Sequence, residues 1–384
     1  MRPSILLCIL TIATILGSCR TKKTEREPTI DQSLPVIKAT STKADYRIGT
    51  EWVKGNWNIV PKIPTDTLSI VCFSKTEEVV FYTDRDSIRF EVQPGDRHRF
   101  YVLLNDQSYA LTEIKGIAPP KRYALPFDPM SKSNALQFLY EQNKGNAYLA
   151  KLTEKYRIDT LVRNATSDTE KAISVLHWVH RQWKHNGSNQ PKKSDALSIL
   201  EEAKEGKNFR CVEYGIVTTA CLNAIGLRAR TLALKTKDVE TRPSGAGHVL
   251  LEVYLNDIGK WALLDGQWDA IPFLNQVPLD AVEFQKAIAE NYEELEIRSS
   301  EELSKRNYVE WIYPYLYYFS VSFDNREGIA GDRLKVNGKS QLMLVPVGAR
   351  NPTIFQIKNK IDNCLYTHSI NDFYESPNKN ENRE

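Results

Sequence analysis

The chain has 384 residues, 51 Lys and Arg against 48 Asp and Glu, and a formal net charge of +3. A balance so near zero, with no basic run, argues against nucleic acid as a partner. The length allows two or three domains, and 6 cysteines are too few for a disulfide scaffold in a chain of this size.

The first segment reads as separate from the fold. Arg2 supplies a positive start, and Ile5 to Leu16 form an apolar run too short for a membrane span, the pattern of a signal-peptide core. The run ends in Leu16-Gly17-Ser18-Cys19, a small residue before a cysteine, which resembles the bacterial lipobox. That resemblance implies that residues 1–19 are a lipoprotein signal and that Cys19 carries the lipid. The expected location is the bacterial cell envelope, with membrane contact through that lipid and the chain facing the periplasm or cell surface. Residues 20–45, rich in Lys, Thr, Ser and Glu, read as a flexible tether.

Residues 46–120 read as a small β-sandwich. Thr67 to Val71, Val79 to Tyr82, Ile88 to Val92 and Phe100 to Leu104 are rich in strand formers, with turn signals between them. Ala118-Pro119-Pro120 marks a boundary. From Ser133 to Trp183 the pattern turns helical: Leu136, Leu139 and Tyr140, then Ile173, Leu176, His177 and His180, recur at helical spacing. Ser167-Asp168-Thr169-Glu170 offers an N-cap. Val212 to Ile225 carries apolar residues suited to a buried helix, with Gly226 as its stop. Strands follow at Arg228 to Leu234, His248 to Leu255 and Trp261 to Asp265.

Residues 306–378 read as a C-terminal β-rich, aromatic segment, and 379–384 as a disordered tail. Its aromatic residues, Trp311, Tyr313, Tyr315, Tyr317, Tyr318 and Phe319, suit core packing or, as the sharper reading, a carbohydrate or peptide platform. Past Cys8 and Cys19, four cysteines remain. Cys211 and Cys221 are ten residues apart on one helix, hence ~15 Å apart, and cannot pair. Cys221 suits a core thiol, and a Cys72–Cys364 bridge stays open.

Three residues carry chemistry. Cys211 opens a helix, where unpaired N–H groups and the positive end of the dipole favour charge on sulfur and can stabilise an oxyanion. A symmetric turn at Asn256 to Gly259 pairs Leu255 with Lys260. Counting back, Leu250 faces Asp265 and His248 faces Gln267, so His248, Leu250, Asp265 and Gln267 share one face. His248 and Asp265 are then diagonal neighbours. A thiol, a base and an orienter in this arrangement make a nucleophilic catalyst.

Phe209 to Gly215, Ala224 to Arg230, Gly247-His248 running into Glu252 to Leu255, and Trp261 to Asp265 together resemble the transglutaminase-like superfamily. Trp178-Val179 matches the helix that precedes them in that family. The resemblance covers roughly Asp168 to Pro272. It implies an α+β, papain/transglutaminase-like core over residues 121–305, with the Cys helix packed on an antiparallel sheet. It also implies roles: Cys211 as nucleophile, His248 as general base and Asp265 as orienter. Trp183 or Asn186 would complete an oxyanion hole. Two positions depart from the family pattern: Leu250, where an aromatic is common, and Asp265-Gly266-Gln267-Trp268, where Asp-Pro is usual. Both place the substrate pocket, for which Gln267, Trp268 and Tyr214 are candidates, outside the common form.

The expected function is a cysteine hydrolase or acyltransferase acting on a peptide, protein or cell-wall amide through a Cys211 thioester, with no cofactor. Transfer to an amine and a non-catalytic glycan- or peptide-binding lipoprotein are the alternatives. His177 and His180, i and i+3 on one helix with His185 nearby, lack a completing ligand, and no metal is expected.

Overall fold

A computed structural model describes residues 30–61, 66–130, 136–141, 145–329, 331 and 333–377. The expected signal peptide, Cys19 and residues 379–384 lie outside the described residues. The chain divides into two compact units, Met1–Ala118 and Pro119–Glu384.

The first unit is built of two four-stranded sheets. In one, Val36–Ala39, Arg97–Leu104, Ser108–Ile117 and Asp66–Val71 lie in that order. In the other, the order is Glu51–Asn58, Lys43–Ile48, Glu77–Tyr82 and Ser87–Val92. Alternate residues of both sheets, among them Ile37, Ile70, Val79, Phe81, Phe100 and Val102, form one buried core. The tether read over residues 20–45 is therefore too long. Val36–Ala39 pairs in parallel with the Tyr101 region, and Lys43–Ile48 is a strand. Ile37 and Ala39 alternate inward over only four residues, too short a pattern to stand out beside polar neighbours.

The second unit is organised around a six-stranded sheet. Its strands, in spatial order, are Lys260–Leu264, Gly247–Leu255, Ala229–Lys235, Tyr318–Ser322, Gln341–Leu344 and Cys364–Thr367. All neighbours are antiparallel except the last pair. Helices Asp168–His180, Ala196–Lys204 and Cys211–Ala224 share a core with Leu251, Val253 and Leu255. Helices Ala281–Glu290 and Lys305–Ile312 share a second core with Leu232, Leu234 and Leu250. The odd and even positions of the strands thus supply two separate cores, which fixes the register of the whole sheet. Ser167 Oγ accepts from Glu170 N at 3.1 Å, the expected N-cap, and Gly226 ends the Cys211 helix with φ +86°.

Two expectations fail here. Leu139–Tyr140 is a short strand paired with Asp324–Asn325, and the helix starts only at Ala147. Helical spacing over a few residues cannot be told from a buried strand. Residues 306–378 are no separate segment: they begin in the Lys305–Ile312 helix and then supply three of the six central strands. The Cys72–Cys364 bridge that the sequence leaves open is not formed, and both are buried thiols.

Candidate active site

The hairpin register follows the count from its turn. Leu255 pairs with Lys260 and Leu251 with Leu264, which sets Leu250 across from Asp265. Pairing stops there. Asp265 N donates to Ala270 O at 2.9 Å, and the chain turns back through residues 266–269. His248 therefore does not face Gln267; its ring reaches diagonally to the aspartate instead.

Asp265 is fully buried and accepts from four donors. Oδ1 takes Gln267 N at 3.0 Å and Trp268 N at 3.4 Å, a side-chain-stabilised turn. Oδ2 takes His248 Nε2 at 2.9 Å and the Tyr308 hydroxyl at 3.2 Å. Gly266 explains the departure from Asp-Pro. A Cβ there would lie 3.0 Å from Tyr214 Cβ and 3.3 Å from Thr218 Oγ1, so glycine lets the turn close onto the Cys211 helix. His180 Nδ1, 3.0 Å from Gly266 O, and His177 Nδ1, hydrogen-bonded to buried Asp269, hold the same turn from the preceding helix. Both histidines thus have partners within the turn.

Cys211 is the first residue of its helix and is partly exposed. Glu213, buried, caps the helix start by accepting from Arg210 N at 3.0 Å and from its guanidinium at 2.6 Å. Cys211 lies near enough to His248 to act on the charge of its ring. With Nε2 held by Asp265, Nδ1 is the nitrogen left for sulfur. Burial alone would lower the pKa of His248. The charge and hydrogen bond of Asp265, with the Cys211 contact, outweigh it and raise it to about 9. The site thus favours the protonated form of His248.

The C-terminal aromatic residues close over this ring. Trp311 meets His248 edge to face with centroids 4.8 Å apart, and Tyr315 lies at 6.0 Å. Trp268 packs on Trp311 and Tyr308. Tyr308, Trp311 and Tyr315 are site residues that sequence reasoning placed in another segment. Their density between 308 and 319 was the available signal.

The remaining candidates separate clearly. Trp183 is buried against Tyr214 and Phe209, and its Nε1 has no hydrogen-bond partner among the described residues. Asn186 instead spends its carboxamide oxygen on Ser188 N, Ser188 Oγ and Asn189 N. Tyr214 is a core residue whose hydroxyl donates to Trp183 O at 2.8 Å. A groove of about 640 Å³ is lined by Trp183, His185, Tyr214 and Gln267. Burial and the charge of His248 lower the pKa of His185, against Asp265, which places this histidine in the electrostatic field of the pair.

A model of the Transglutaminase-like superfamily matches residues 155–266, a span containing Cys211, His248 and Asp265. The match covers less than half of the chain. No curated protein matches the sequence. Among solved structures, the chain is similar to a candidate cysteine protease from Cytophaga hutchinsonii, at 12% identity over 54% of this chain and 72% of that one, TM-score 0.27. It is also similar to a candidate protease from Parabacteroides distasonis, at 12% identity over 57% of this chain and 37% of that one, TM-score 0.22. Red sea bream transglutaminase matches at 9% identity over 62% of this chain and 50% of that one, TM-score 0.23.

Proposed function

We propose that this transglutaminase-like core is a cysteine-dependent enzyme that hydrolyses amide or peptide bonds through a Cys211 thioester. The observation that carries the reading is the His248 ring held by Asp265 at 2.9 Å, with Cys211 at the start of its helix acting on the same ring. Sulfur, having given its proton to His248, attacks the carbonyl carbon and forms the C–S bond. The oxyanion is stabilised by the first-turn backbone of the helix and by the unpartnered Trp183 indole N–H. Collapse breaks the C–N bond, and His248 hands its proton to the leaving amine. Water then gives a proton to His248, adds to the thioester, and releases the acid with return of the proton to sulfur. Asp265 stays ionised throughout and fixes the ring.

The test is mass spectrometry of the intact protein after exposure to peptides and cell-wall fragments. An acyl adduct on Cys211 that water discharges is expected. An adduct discharged only by amines makes the chain a transamidase. No adduct, with unchanged ligand affinity in Cys211→Ser, makes it a binding protein. We place the enzyme in the cell envelope on the Leu16-Gly17-Ser18-Cys19 pattern. Labelled palmitate should enter the wild type and not Cys19→Ala.

A further inference from the structure

Outside the triad, Lys235 is a buried cation with no acid beside it among the described residues. Lys235 ends the central strand and is only 9% exposed. Its ammonium donates to Ser320 Oγ at 2.7 Å. Among the described residues, the one ionisable neighbour acting on it is the Cys364 thiol, and burial pulls its pKa down to about 8. A lone buried ammonium is unfavourable unless something pairs with it.

A groove is lined by the serine that this lysine holds. Thr231, Ala233 and Lys235 alternate onto one face of the sheet. That face carries the Cys211 helix, because a Cβ on Gly215 would sit 3.6 Å from Thr231 and 3.2 Å from Val249. The groove runs between helix and strand, lined by Val212, Ile216, Thr231, Ala233, Ser320 and Ser322. Ile216, Thr231 and Ser322 continue into a second basin with Thr219 and Asp324. The helix order 212, 216, 219 therefore runs alongside the strand order 233, 231. Lys235 and Ser320 accordingly lie at the Cys211 end. At the far end, Thr219 Oγ1 is buried with no hydrogen-bond partner among the described residues.

We infer that this groove receives the acyl donor and that the Lys235 ammonium, steadied by Ser320, binds a carboxylate of that donor, so that the substrates are acidic peptides. The inference rests on the enzyme reading above and names its substrate class. Lys235 is a specificity-determining residue in this account and takes no part in bond making.

The test uses the full chain with Cys211→Ala, so that binding is read without turnover. Dye-labelled, C-terminally amidated hexa-alanine peptides carry glutamate at each position in turn, and the glutamine series is the isostere. At one position or more, glutamate should bind about tenfold tighter by anisotropy, the scale of one charge-assisted hydrogen bond. Lys235→Met should erase that difference without lowering the thermal midpoint; if it does not fold, Lys235→Gln serves in its place. Equal binding of both series at every position, or a preference that survives the substitution, overturns the inference. Absence of an acyl adduct with the preference intact sinks the enzyme reading alone. A reactive Cys211 with no preference sinks only this one.

Discussion

A carboxylate held by four donors cannot rotate, and Asp265 is such a carboxylate. Two backbone N–H groups, the His248 ring and the Tyr308 hydroxyl occupy both of its oxygens. Removing one donor loosens the ring it orients, so Tyr308→Phe should lower kcat by about tenfold or more, with KM little changed, the scale of a hydrogen bond to a charged group. A variant with unaltered kcat contradicts the positioning role. The proton on His248 gives a second expectation. Its pKa is raised from 6.5 to about 9, so the folded state binds that proton more tightly than the unfolded chain. Its contribution to stability is complete below pH 6.5 and is lost as pH rises through about 9, on the order of 3 kcal/mol in all. kcat/KM should fall over the same upper limb as the imidazolium is lost. A His248→Gln protein should show a flatter denaturation midpoint between pH 6.5 and 9.5, and an equal slope in both proteins would contradict this. Of this site, the approach of His248 to Asp265 was legible because a symmetric turn fixes the hairpin register. Tyr308 was not, because its contact with Asp265 spans 43 positions.

Among the elements, the turn at 266–269 does most to place the chemistry. It ends the Lys260–Leu264 strand, gives Asp265 its two backbone donors, and presses glycine against the Cys211 helix. Gly266→Ala must push Tyr214 or Thr218 aside by a few tenths of an ångström. The expected result is a stability loss of about 1–2 kcal/mol with a disproportionate fall in kcat, read by denaturant midpoint and turnover. Destabilisation with full activity would argue that the turn and helix are not coupled. Dipeptide identity showed that this turn is unusual, while its role needed the helix behind it. The same limit explains Leu139–Tyr140. Its spacing was right for a helix, but its partner strand lies at Asp324–Asn325, far along the chain. Local pattern served well where capping groups were also present, as at Ser167 and Gly226.

At the scale of the molecule, the second unit draws its central sheet from both ends of a long stretch of sequence. Three strands precede residue 265 and three follow residue 317. A chain ending at Ser304 would lack Tyr308, Trp311 and half of that sheet, leaving Ala229–Lys235 as an open edge. Such a truncation should aggregate and fail to react with a peptide electrophile at Cys211; a soluble, reactive fragment would contradict the architecture. Aromatic content marked this region as important, yet no local pattern says which distant sheet a strand will join. The arrangement also has a temporal side. During synthesis Cys211 emerges long before the residues that complete its surroundings, and the central strand keeps an unpaired edge until Tyr318–Ser322 docks. The thiol therefore travels through translation and early folding as an ordinary cysteine. Under the proposed function, Tyr308 and Trp311 reach Asp265 and His248 only when most of the chain has been made, so the site is finished late.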